Sequence, residues 1–84
     1  SGIRDQLNLE ENVNGVVVSD ISRASGAYRQ GLRRGDVITQ VGNEPVDSPR
    51  EFYGVIRNLM ESETEATLLR INRQGRNLFI AIEL

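Results

Sequence analysis

The 84-residue chain has no cysteine, no histidine, no tryptophan and no lysine, and only two prolines, two tyrosines and two phenylalanines. Each absence removes a class of chemistry. Without cysteine there is no disulfide, thiolate nucleophile or zinc knuckle, and redox chemistry gives no hint of compartment. Without histidine there is no Ser-His-Asp triad, no imidazole general base and no imidazole metal ligand. No run of 18 apolar residues occurs, so no membrane span is expected. The first residues lack the basic-then-apolar pattern of a secretory signal. The cations are all arginine, ten against twelve carboxylates, for a net charge of −2. That balance argues against nucleic acid as a partner, because nucleic-acid modules carry a basic face.

What is present suits one soluble globular module. Apolar residues make up 38% of the chain and charged residues 26%. At this length a single domain over 1–84 is expected, burying roughly 60–65% of its unfolded surface. The only methionine is Met60, so Ser1 reads as a cut end of something longer, with Ser1-Gly2 either native or a cloning remnant.

Along the chain, Asp5 to Leu9 alternates polar and apolar residues and predicts a short strand, and Glu10 to Gly15 reads as a polar turn. The β-branched run Gly15 to Ile21 predicts a strand. Ala24, Ala27 and Tyr28 fit one or two helical turns that stop at Gly31. Asp36 to Val41 is a second strong strand, and Gly42 to Pro45 turns the chain back. The clearest helix runs from Pro49 to Met60, with Asp47 or Ser48 as N-cap and Glu51 near its positive end. Phe52, Val55, Ile56 and Leu59 form its apolar stripe. Two strands, 66–73 and 76–84, meet in a hairpin at Arg73-Gln74-Gly75. The class is α+β, a partly open five- to six-stranded β-barrel or sandwich capped by two helices. Phe52, Val55, Leu59, Val17, Ile38, Leu69, Ile71 and Ile80 form the expected core, with Tyr53 and Ile56 bordering a groove.

Little in this pattern supports catalysis, a metal or a cofactor. Asp36 with Glu44, or Glu61, Glu63 and Glu65, could be drawn as acid/base pairs, but they read as solvated acids around turns. The Arg-Gly-Asp string at 34–36 reads as a tight turn before a strand, not an adhesion motif. The segment Gly31 to Gly35 lacks the GxxxxGK[ST] phosphate cradle. What remains is recognition through the backbone, in which an extended peptide adds to a sheet edge beside a helix.

The residues Gly15-Val16-Val17-Val18, Ser25-Gly26-Ala27, Gly31-Leu32-x-x-Gly35-Asp36-Val37-Ile38 and Val41 to Val46, followed by a Ser-initiated helix, resemble a bacterial PDZ domain. The likeness runs over nearly the whole chain and is greatest to the PDZ domains of HtrA-like (Do-type) serine proteases. The spacing of Gly2 and Gly15 and the stop at Leu84 are more like the second, C-terminal PDZ of such a protease. The resemblance implies that Gly2 and Ile3 belong to the loop holding a peptide carboxylate, although Ser1 departs from the usual first residue there. It implies that Arg4 and Asp5 begin the strand that pairs with the peptide. It places Pro49, Tyr53 and Ile56 on the groove side of the helix, with Ile56 nearest the last peptide side chain. It further implies an upstream protease domain, a periplasmic or envelope location and a role in protein quality control. The partners would be C-terminal or exposed hydrophobic segments of misfolded proteins, or the protease domain and neighbouring subunits. A PDZ domain of another envelope protein, such as an intramembrane protease or secretion component, and a pure assembly element are the alternatives.

Overall fold

The computed structural model describes residues 7–12 and 15–84. Among these residues six strands and two helices follow in the order β1 (Leu7–Asn12), β2 (Gly15–Ile21), α1 (Gly26–Arg29), β3 (Val37–Val41), β4 (Glu44–Pro45), α2 (Pro49–Glu61), β5 (Ala66–Arg73) and β6 (Arg76–Glu83). The strands form one open antiparallel sheet in the order β1-β2-β3-β5-β6, with β4 paired to β3 off that path. This is the partly open, helix-capped α+β architecture that the strand pattern predicts.

Most element limits follow the sequence signals. Ser48 caps α2, its Oγ accepting the Glu51 N–H, and Pro49 stands in the first turn, where no backbone donor is missed. Ser25 caps α1 in the same way by accepting the Tyr28 N–H. Gly31 and Gly35 adopt φ of 116° and 93°, so both turns around Leu32 use backbone that other residues enter at a cost. The predicted turn at Glu10 to Gly15 is corrected in part: Glu10, Glu11 and Asn12 continue β1, paired with Val17, Val16 and Gly15. Their polarity reflects exposure at a sheet edge.

The core is built from the inner face of the sheet and one face of α2. Val16, Val18, Leu32, Ile38, Val41, Val46, Phe52, Leu69, Ile71 and Ile82 are almost wholly buried. Val17, expected inside, is only half-buried; Val16 and Val18 point inward instead. Four consecutive apolar or glycine positions carry no alternation, and the pairing of Val16 with Ile38 settles which face is which. On α2, the expectation that Val55 and Leu59 are buried while Ile56 borders a groove is also corrected. Phe52 and Ile56 are the buried pair, and Val55, Leu59 and Tyr53 flank them half-buried. Residues four apart share one helix face, so the line through 52 and 56 is the deepest.

Candidate functional site

Among the described residues the sheet ends on one side at β1, which pairs there with β2 alone. Leu7 and Leu9 turn inward and are buried, while Asn8, Glu10, Glu11 and Asn12 are exposed. Among the described residues, 7–11 make no backbone hydrogen bond outside the β1–β2 ladder. One edge of this strand therefore carries N–H and C=O groups open to a further strand. The ladder has a bulge: Asn8 faces Asp20 and Leu9 faces Val18, with Ser19 extra, and the Ser19 hydroxyl donates to the Asn8 carbonyl at 2.9 Å. That bond occupies the Asn8 carbonyl where the bulge interrupts pairing.

Helix α2 touches β1 and β3. Leu7, Leu9, Phe52 and Ile56 belong to one packed cluster, with Tyr53 partly buried against it. The Tyr53 ring stands edge-on to Phe52, 5.4 Å between centroids and 76° between planes. Of the expected peptide-contacting residues, Pro49 and Tyr53 are half-buried on α2. Ile56 is 3% exposed, deeper than expected. Gly2, Ile3, Arg4 and Asp5 lie outside the described residues. The inward pair Leu7 and Leu9 was missed as part of this wall, although their alternation with Asn8 signals it.

In the turn that enters the central strand β3, Asp36 is buried at 1% exposure, so it is not the solvated turn acid expected. Its Oδ1 accepts from Arg73 Nε at 2.7 Å, and its Oδ2 accepts from Arg73 Nη2 at 2.7 Å and from the Arg33 N–H at 2.9 Å. Arg73 Nη2 also donates to the Gly31 carbonyl at 2.8 Å. The Asp36 hydrogen bonds raise the Arg73 pKa above its ordinary value, partial burial opposes this, and Coulomb attraction to Asp36 adds to it. Every acceptor of this carboxylate faces a donor within the fold, which is the arrangement of a structural clasp between β5 and the turn before β3. Among the described residues no group of three or more acidic side chains is placed to hold a metal ion. No described helix is long and apolar enough to cross a membrane.

Among the described residues, β1 presents an open edge beside the apolar face of an amphipathic helix, a geometry to which an extended segment can add. The family model for the PDZ domain matches residues 17–73. The chain is 33% identical over 70 residues to the "Probable periplasmic serine endoprotease DegP-like" of Bartonella henselae, covering 83% of this chain and 14% of that protein. It is 39% identical over 70 residues to the protein of the same name in Ectopseudomonas mendocina, with the same coverage of 83% and 14%. Both matches are to a small part of a much longer protein. Among solved structures, the HtrA3 PDZ domain bound to a phage-derived ligand (FGRWV) superposes with a TM-score of 0.76 at 19% identity, covering 93% of this chain and 80% of that one. The sheet order, the capping helices and the matched residues agree: the chain belongs to the PDZ domain family, a family of binding modules, with homology to the PDZ regions of DegP/HtrA serine proteases.

Proposed function

We propose that the chain is the peptide-binding module of an HtrA-like periplasmic serine endopeptidase and captures C-terminal or exposed hydrophobic segments of misfolded proteins by strand addition at β1. One observation carries this reading: among the described residues β1 keeps an edge free of other strands and lies against α2. In this reading an extended segment pairs with β1, and its inward side chains rest against Leu7, Leu9, Tyr53 and Ile56. Backbone N–H groups of Gly2 and Ile3 hold the terminal carboxylate, Arg4 and Asp5 begin the pairing, and Pro49 closes the far end. Occupancy then regulates the attached protease domain or its assembly with neighbouring subunits.

The test is a titration with a peptide ending in a free hydrophobic residue, and with its C-terminally amidated form. Binding at about 1–100 μM is expected for the free acid, or roughly −8 to −5.5 kcal/mol. Amidation removes charge-assisted bonds of about 1.5–3 kcal/mol, so affinity falls tenfold or more. Equal affinity of the two forms overturns the carboxylate part of the reading, and no binding of either overturns the whole.

The second reading, an assembly element that binds no peptide, is favoured by the outer face of the β5–β6 hairpin. There Leu68 and Phe79 are 52% and 66% exposed, and Leu68 pairs with Ala81. Light scattering at increasing concentration, with Phe79→Ser as control, separates the two readings.

A further inference from the structure

The face of the peptide edge turned to solvent is acidic. The described residues of the β1–β2 ribbon contain Glu10, Glu11 and Asp20 and no arginine. All three carboxylates are exposed, and none forms an ion pair among the described residues. Register fixes where they point. Leu7 and Leu9 face the core, so Asn8 and Glu10 face outward, with Asp20 beside Asn8 and Val17 beside Glu10. Glu11 follows at the exposed end of the strand.

A segment added at this edge keeps the two-residue period of a strand. With its terminal carboxylate at Gly2 and Ile3 and its chain antiparallel to β1, the segment's outward side chains level with Asn8 and Glu10 belong to residues about five and seven places before the last one. Directly opposed side chains on one face approach to about 4.5–5.5 Å, where opposite charges attract and like charges repel. Resting on the strand-addition reading, we infer that β1 selects segments that alternate inward apolar residues with outward arginine or lysine. The inner face supplies adhesion that is blind to charge, and Glu10, with Asp20 one strand further away, supplies the discrimination. Acidic segments are turned away by the same groups.

The experiment uses the 84-residue chain and three peptides with the same hydrophobic inward residues and free C-terminus, carrying alanine, arginine or glutamate at the two outward positions. Dissociation constants are measured by fluorescence anisotropy at low and at high salt. The arginine peptide is expected to bind about three- to tenfold more tightly than the glutamate peptide at low salt, with alanine between them, and the gap closes at high salt as exposed charges are screened. Glu10→Arg, whose folding is checked by circular dichroism, is expected to reverse the order, and Glu10→Gln to narrow the gap. If the alanine peptide binds and all three constants agree within about twofold, the charge selection is wrong and strand addition stands. If no peptide binds, strand addition falls and the selection with it.

Discussion

Asp36 and Arg73 stand 37 residues apart in sequence and close one clasp, which makes them the most consequential polar pair in the described structure. Removing the arginine leaves a buried carboxylate with the Arg33 N–H as its remaining donor. A fully buried pair broken in this way costs roughly 3–5 kcal/mol. Because the Arg73 side chain is 37% exposed, water reaches the gap, and about 2–3 kcal/mol is expected for Arg73→Ala in urea unfolding. The raised Arg73 pKa means that, while Asp36 is ionised, its contribution is complete below the ordinary arginine value and is lost as pH rises through the raised one. Stability lost by Arg73→Ala is therefore constant across the neutral range. The glycines divide by mechanism. A Cβ on Gly35 meets no atom, so Gly35→Ala costs only backbone strain, about 1–2 kcal/mol. A Cβ on Gly15 runs into the carbonyl oxygen of Ile38 on the neighbouring strand, and φ is 152°. Gly15→Ala is expected to cost more than Gly35→Ala, and the reverse order in thermal melts contradicts the close approach of β2 to β3. The glycine turns were legible in the sequence, whereas the Asp36 partner was not, because pairing across 37 residues leaves no periodic trace. Arg33 also exceeds the ordinary exposed arginine it resembles in sequence: its guanidinium lies 3.8 Å from the Tyr28 ring centroid and donates to the Tyr28 carbonyl.

Among the elements, α2 shows where pattern reading succeeds and where it stops. Its cap, its proline and its stripe gave both ends to within a residue, because these signals are local. The depth of each stripe residue depends on how the helix lies on the sheet, so Ile56 and Val55 were exchanged. Strand β1 shows the same limit: Glu10 and Glu11 are poor strand formers, and only a partner strand makes them one. The helix offers two opposed tests. Phe52→Ala removes a wholly buried ring and is expected to cost about 3–5 kcal/mol. Gly54 is exposed in mid-helix, and a Cβ there meets nothing within 4 Å, so Gly54→Ala is expected to stabilise by about 0.5–1 kcal/mol. Denaturant midpoints that move in the same direction for both variants would contradict the placement of α2.

For the whole molecule, what matters is that the sheet is open and its two ends differ. Strand β6 is eight residues long, is paired along its whole length with β5 and is touched by α1. Strand β1 is shorter, pairs with a bulged β2 and leans on α2. Edge strands with few neighbours open at lower free energy than central ones, so β1 amides are expected to exchange faster than those of β3 and β5 in native-state hydrogen exchange. A peptide present at a hundred times its dissociation constant stabilises the folded state by about 2.7 kcal/mol. For a domain of this size that corresponds to a rise in Tm of about 10–20 °C. Strand addition also dictates where protection appears. The β1 N–H groups that face away from β2 gain partners, so their exchange slows beyond what the global stabilisation gives, whereas β6 amides slow only by the global amount. Protection gained at the free edge of β6 would place the segment on the other side of the sheet, away from Leu7, Leu9 and Ile56, and would remove the acidic row at Glu10 from its path.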